Sequence, residues 1–311
     1  MGIVVEVKHL TKQFTNLTAV NDLSFTVEEG DVYGFLGQNG AGKSTTLRML
    51  LTLIQPTEGS ISIFGESLSK HRAGILKNVG AVIEKPDVYK YLSAYDNLQL
   101  FAKLSGSIIT KSRLTETLEM VGLAERAKDK VKTFSQGMKQ RLGIGIALVH
   151  NPSLIILDEP TNGLDPQGIA DIRNLILRLS REMKKTIIVS SHLLNEIEQV
   201  ATKVLIIDKG RKLVEDSAAA LFDPSQNIIA LQTTDNTAAL ALIKDSTWQK
   251  NIQSIREGYI IVKLKKDETP QFNKTLTDMG IAVLALQPRN SLEDYFLQIT
   301  AGKQHVGSFT N

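Results

Sequence analysis

The sequence predicts an α/β protein built on a mostly parallel sheet, followed by a small α+β domain. Three observations carry this prediction. Short apolar strands alternate with helical segments through most of the chain, as in parallel strands joined by crossover helices. One strand, Val32–Leu36, runs directly into a glycine-rich loop, Gly37–Gly42, and then into a helical segment. Around Asp223-Pro224-Ser225 the pattern resets, and the remainder of the chain reads as βαββαβ.

The elements are taken in chain order. Val4–Val7 and Leu23–Val27 read as short strands, and the turn EEGD at 28–31 leads into the buried-type strand Val32–Leu36. KSTTLRMLLTL, after the glycine loop, has helical character. PTEGSISIFG (56–65) is a turn, an alternating strand and a second turn. Residues 93–150 are mainly helical, with Leu114, Leu118 and Val121 at i, i+4 and i+7. SLIILDEP (153–160) is a buried strand ending in two carboxylates. An amphipathic helix, DIRNLILRLSREM, a buried strand, KTIIVSSH, and a strand with a turn, ATKVLIIDKGRKL, come after it. The last region has strands at 227–233, 252–256, 259–264 and 281–287 and helices at 236–245 and 270–279, a ferredoxin-like order. A closing helix is expected in SLEDYFLQIT, where Ser291 and Asp294 have capping-box-like spacing. Leu292, Tyr295, Phe296 and Ile299 form its apolar stripe.

Composition narrows the class. The chain has 311 residues, 42% hydrophobic and 22% charged, long enough for about two domains with a sizeable core. Net charge is +3, with 27 Lys and Arg against 25 Asp and Glu in residues 1–225 and 9 against 8 after them. Neither half is a basic or acidic tail, so charge gives no argument for nucleic acid. The absence of cysteine excludes disulfides, thiolate metal sites and cysteine nucleophiles, and is compatible with a reducing compartment. MGIVVEVKHLTKQF lacks the pattern of a signal peptide and of a myristoylation site. No segment approaches about 18 consecutive apolar residues, so the chain is not expected to span a membrane.

GQNGAGKST, Gly37 to Thr45, fits G-x-x-x-x-G-K-[ST] between a strand and a helix, the context that makes this motif a phosphate loop. Gly37, Gly40 and Gly42, with Asn39 and Ala41, let backbone N–H groups close around phosphate oxygens, and the helix N-terminus adds a favourable dipole. Lys43 is the cation for the β and γ phosphates, and Ser44 offers a hydroxyl to Mg²⁺. The loop alone leaves GTPases, small-molecule kinases and ATPases open. A GTPase needs Asn-Lys-x-Asp, and the nearest run, NKTLTD at 273–278, has Leu276 where the Asp should be. LIILDEP puts Asp158 at the end of a buried strand, near the phosphates of an open α/β sheet. Asp158 suits Mg²⁺, and Glu159 suits a general base polarising the attacking water. His192 comes after the next strand; it is either structural or a group that reaches the γ-phosphate.

Taken in order, these residues resemble the ATP-binding subunit of an ABC transporter over about residues 3–222. The Walker A loop is Gly37–Thr45, the Walker B strand is LIILDEP, and His192 matches the H-loop. FSQGM is similar to the family's signature, usually Leu-Ser-Gly-Gly-Gln, with Phe134, Gln136 and Met138 as departures and Ser135 and Gly137 retained. Ser135 reads as a helix N-cap, and the interior glycines Gly143 and Gly145 suggest close helix packing. The resemblance implies a P-loop NTPase core with a helical subdomain at about 86–152 and an antiparallel β subdomain, making an ATP-binding domain of residues 1–222. Residues 226–311 would be an accessory domain whose role, regulatory, sensory or bracing, is open.

The resemblance also implies roles. Phe14 would stack on adenine, as the family's aromatic A-loop residue does. Ser135, Gln136 and Gly137 would face the ATP of a second copy, and Asp165 in NGLD would tie the two ATP sites together. Glu84 stands where the family usually has Gln, as in its bacitracin-resistance and lantibiotic-immunity branch, and is a candidate Mg²⁺ ligand. ATP and Mg²⁺ are the implied ligands. A second copy and a membrane-spanning permease docked along residues 86–100 are the implied partners, at the cytoplasmic face of the cell membrane. Peptide-antibiotic export is the expected function. Export of another drug, a lipid or a polysaccharide, or a soluble non-transport ABC ATPase, are the alternatives.

Overall fold

The computed structural model of the chain describes residues 2–106, 108–221, 226–256 and 258–289. The expected closing helix at Ser291–Thr300 and the reset at Asp223–Ser225 lie outside them. The chain divides into two compact units, Met1–Ala218 and Ala219–Asn311.

In the first unit, β1 (Ile3–Phe14) and β2 (Leu17–Glu28) form a long antiparallel pair, extended by β4 (Glu58–Ile63) and β5 (Glu66–Ser67) in the order β2-β1-β4-β5. A second sheet is built from β3 (Val32–Leu36), β6 (Val79–Val82), β7 (Leu154–Asp158), β8 (Thr186–Ser191), β9 (Lys203–Asp208) and β10 (Arg211–Ser217), ordered β10-β9-β3-β8-β7-β6. All its pairings are parallel except β10 with β9. The fold class expected from the sequence is the one observed: a parallel core accompanied by an antiparallel sheet. One core joins the two sheets, with Val5, Leu10 and Phe25 packed among Phe35, Leu47 and Ile156. Each such fully buried side chain contributes roughly 1.5–3 kcal/mol.

Helices α1 (Lys43–Leu50) and α2 (Leu68–Leu76) follow the glycine loop and β5, and α3 (Ala94–Leu104), α4 (Lys111–Met120) and α5 (Gln136–Leu148) form the helical region before β7. Ser93 opens α3 with a capping box to Asp96, and Thr110 and Ser135 cap α4 and α5. Helix α6 (Pro166–Arg181) begins with Asp165 as N-cap and proline in its first turn. Helix α7 (Leu194–Glu198) follows β8, and α8 (Ala218–Leu221) follows β10.

Two differences from the sequence expectation have physical causes. Strands β1 and β2 are longer than expected, because their outer ends pair with each other although they are exposed and polar. Strand β6 is not expected at all: four residues including a glycine carry no alternation, and its pairing with β7 is a tertiary fact.

The second unit contains β11 (Gln226–Thr233), α9 (Asn236–Lys244), β12 (Ile252–Arg256), β13 (Tyr259–Lys265), α10 (Thr269–Asp278) and β14 (Val283–Arg289). Its antiparallel sheet runs β12-β13-β11-β14, the strand order of a ferredoxin-like unit. Ile229, Leu231, Ile260 and Val262 meet Ile243 of α9 and Phe272 of α10 in a core of its own.

Candidate nucleotide site

The parallel sheet brings the chemistry to one edge. Leu36 of β3 is opposite Ser191 of β8, and Ser190 is opposite Asp158 of β7. The residues that leave these strands, Gly37, His192 and Glu159, therefore emerge side by side. This is a consequence of parallel register alone: three strands running the same way end on the same side.

From Gly37 the loop turns into α1. Its N-cap, Gly42, has φ of 104°, and a Cβ there would meet the Ala19 carbonyl oxygen at 2.5 Å, so only glycine fits. No side chain caps this helix, and its first-turn N–H groups keep their capacity for an anion. Asn39 and Gly40 are exposed at the loop tip, Ala41 is buried, and Ser44 and Thr45 are partly buried in the first turn. Lys43 is only 4% exposed. Its ammonium donates to the carbonyls of Gly37 at 2.7 Å and Gln38 at 3.3 Å, and lies 3.2 Å from Glu159 Oε1.

Asp158 is buried, and its Oδ1 accepts from Ser190 Oγ at 2.5 Å. The same hydroxyl accepts from the Glu159 backbone N–H at 2.9 Å. Glu159 itself has φ of 46°, a left-handed conformation that costs a non-glycine residue about 1–3 kcal/mol and is found at functional sites. Its two carboxylate oxygens face different partners: Oε1 faces Lys43, and Oε2 accepts from His192 Nδ1 at 2.9 Å. A carboxylate only accepts, so Nδ1 carries the shared proton.

Lys43, Asp158, Glu159 and His192 are thus assembled in one place. The other sequence-predicted residues sit elsewhere. Phe14 ends β1, 44% exposed, with the Lys12 ammonium 5.0 Å from its ring centroid. Ser135 caps α5, its Oγ accepting from Met138 N at 3.2 Å, and Gln136 and Gly137 form the first turn. Asp165 caps α6, its Oδ1 accepting from Gly168 N at 2.9 Å. Glu84 has φ of 61° and pairs its carboxylate with Arg48 of α1, rather than with Asp158 or Ser44. No group of three or more His, Asp or Glu among the described residues is clustered as a metal site. Asp158 and Ser44 carry hard oxygen donors, the chemistry that Mg²⁺ takes.

The close helix packing expected of both α5 glycines is found at neither: one is crowded by a loop and the other makes only ordinary contacts. A Cβ on Gly143 would lie 2.6 Å from Pro86, so the close neighbour is the loop that carries Glu84 and not another helix. At Gly145 the nearest atom is Val121 Cγ2 at 3.4 Å, an ordinary contact that does not require glycine. Sequence reasoning also passes over Ser190. A polar residue next to the apolar run of a buried strand is the available signal.

The sequence pattern of the ABC transporter family matches residues 20–162, from β2 to just beyond Glu159. A pattern described as an AAA domain, putative AbiEii toxin of a type IV toxin–antitoxin system, matches residues 130–198. The bacitracin transport ATP-binding protein BcrA of Bacillus licheniformis is 43% identical over 303 residues, covering 97% of this chain and 99% of that protein. The chain belongs to the ATP-binding proteins of the ABC transporter family. The lantibiotic transport ATP-binding protein SrtF of Streptococcus pyogenes is 40% identical over 225 residues, 72% of this chain and 94% of that one. Among solved structures, the ATP-binding subunit of an ABC transporter superposes with a TM-score of 0.62 at 29% identity, covering 71% of this chain and 92% of that one. A dimeric ATP-binding cassette in a post-hydrolysis state with ADP and Pi gives 0.62 at 26% identity, with 69% and 98% covered. This ABC ATP-binding protein contains no helix, among its described residues, long and apolar enough to cross a membrane.

Proposed function

We propose that this ABC protein binds and hydrolyses ATP with Mg²⁺, as a pair of copies, and energises export of a peptide antibiotic through a separate membrane-spanning subunit. The observation that carries the reading is the strained Glu159, held between Lys43 and His192 beside the buried Asp158. The glycine cradle and the uncapped start of α1 fit a triphosphate. Lys43 is anchored by two carbonyls and offers its charge to the transferring phosphoryl group. Glu159 takes the proton of the attacking water, and His192 orients its carboxylate. Ser44 and Asp158 would hold Mg²⁺, which would supply charge neutralisation at the phosphate oxygens. Glu84 stands as a further candidate for that ion, in competition with Arg48.

The remaining roles extend the same reading. Phe14 offers an exposed ring for adenine, and Ser135, Gln136 and Gly137 offer a second helix start to the γ-phosphate of the other copy, with Asp165 at the junction. Exposed Tyr89 and Tyr91 line the segment proposed to receive the permease at the cytoplasmic face of the membrane. Asn97 fixes that segment through hydrogen bonds to the backbone N–H and carbonyl of Tyr89. The antibiotic cargo is supported by the bacitracin and lantibiotic transport relatives. Glu159→Gln should retain ATP and lower turnover by about 10²–10³-fold, accumulating a dimer on gel filtration. Turnover at the wild-type rate would remove the base from the mechanism. Cells carrying the chain with its permease should survive higher bacitracin or lantibiotic concentrations, and an unchanged inhibitory concentration for both would redirect the cargo.

A further inference from the structure

Glu196, on the short helix α7, has no part in the chemistry of Lys43, Glu159 and His192, yet one of its oxygens joins the two segments that carry that chemistry. Its Oε2 accepts from Thr161 Oγ1 at 2.6 Å and from Ser191 Oγ at 3.0 Å. Thr161 lies two residues beyond Glu159, and Ser191 immediately precedes His192. The Ser191 hydroxyl oxygen in turn accepts from Leu193 N at 3.0 Å, closing the turn around the histidine. Strands β7 and β8 are neighbours, but their ladder stops at the Asp158–Ser190 pair. Past that point β7 and β8 no longer pair with each other, and only the β8 side keeps a strand partner, at Leu36 of β3. Glu196 replaces the ladder there with two hydroxyl-to-carboxylate bonds.

Packing does not substitute for these bonds. Thr161, Ser191 and Glu196 border a cavity of about 280 Å³ that also meets Ile169, Val189 and Ile197. A side chain truncated at 196 would leave the Thr161 hydroxyl without this acceptor beside the cavity, and the Ser191 hydroxyl held only through the Leu193 N–H.

We propose that Glu196 is a positioning residue for the Glu159–His192 pair: it sets the separation of the two side chains by tying Thr161 to Ser191. This rests on the reading that Glu159 and His192 act on ATP. The bridge needs an acceptor oxygen and no negative charge, and Gln keeps that oxygen. The test is steady-state ATP hydrolysis by the full chain, with kcat and KM separated, for E196A, E196Q, T161V and E159Q, alongside thermal unfolding. E196A and T161V should each lower kcat about 10- to 100-fold with KM for ATP within about twofold, because displacement by an ångström degrades proton transfer and leaves nucleotide binding intact. E196Q should stay within about threefold of wild type. The double variant E196A/T161V should be no worse than the poorer single one, since both break the same bridge.

Wild-type kcat in both E196A and T161V, with E159Q inactive, would overturn this inference and leave the function standing. The inference also falls, with the function intact, if E196Q is as impaired as E196A or if the loss appears in KM. Wild-type turnover in E159Q would overturn the parent reading and this one with it.

Discussion

Helices α1 and α5 start in opposite ways. At α1 the N-cap is Gly42, in a left-handed conformation, and no side chain occupies the first-turn N–H groups. At α5 the N-cap is Ser135, in the extended region, and its hydroxyl oxygen already accepts from Met138 N. Every helix begins with four unpaired N–H groups. Helix α1 leaves them without a side-chain cap and has the buried Lys43 in its first turn. Helix α5 satisfies one of them internally, and the Ser135 hydroxyl retains a proton to donate. The contrast sharpens the proposed division of roles: α1 would hold phosphate within one copy of the chain, and α5 would add a weaker, supplementary contact.

The largest effect should come from removing the cation that distinguishes α1. Lys43→Ala should weaken ATP binding by about 100-fold or more in calorimetry, since a charged hydrogen-bond partner of the phosphates is lost. Binding within a few-fold of wild type would erase the difference between the two helix starts. Next come the α5 glycines. Gly143→Ala forces a methyl group against Pro86 and should cost about 1–3 kcal/mol in denaturant unfolding. Gly145→Ala meets only ordinary contacts and should be neutral or stabilising by up to about 1 kcal/mol. Equal effects at the two sites would refute the Pro86 contact.

Ser135→Ala removes the cap of α5. It should cost about 1 kcal/mol in stability, leave the ATP affinity of a single copy unchanged, and reduce turnover in the dimer. A fall in single-copy ATP affinity would mean that α5 belongs to the same grip as α1.

The smallest effect lies at the far end of α5. His150 donates from Nε2 to the Val79 carbonyl at 3.2 Å, and its pKa is lowered from the ordinary 6.5. Burial is the main cause, with Arg113 and Lys185 adding to it and the Val79 bond opposing it. The unfolded chain therefore takes up this proton at a higher pH than the folded one does, and stability falls as pH drops below 6.5 toward the lowered folded value. His150→Gln should flatten that part of the pH–stability profile. An unchanged profile would show that another group is responsible.

Legibility differs from element to element for identifiable reasons. Gly37–Thr45 and Leu154–Glu159 are readable because a buried strand, a glycine loop and a helix start each impose residue types at fixed spacing. The second unit is readable as a fold, since its strands and helices alternate cleanly, although its residues carry no motif of chemistry. Asp165 as the N-cap of α6 is legible in the Asp-Pro pair, ahead of the amphipathic run that marks the helix. Strand β6 cannot be read, because four residues without alternation are given their role by a neighbour. The same holds for Arg48 with Glu84 and for Glu196 with Thr161 and Ser191: these groupings share no sequence pattern.

The sequence by itself determined the local rules: which segment becomes a buried strand, which turn admits only glycine, and which charged and hydroxyl residues stand at the loop and strand ends. These depend on backbone sterics and periodicity, which act over a few neighbouring residues. Tertiary structure alone decided that Lys43, Glu159 and His192 form one cluster, that Pro86 fills the space beside Gly143, and that Glu84 faces Arg48. Those outcomes depend on the register of parallel strands and on the packing of loops, where contacts between distant residues are set by the geometry of the whole unit.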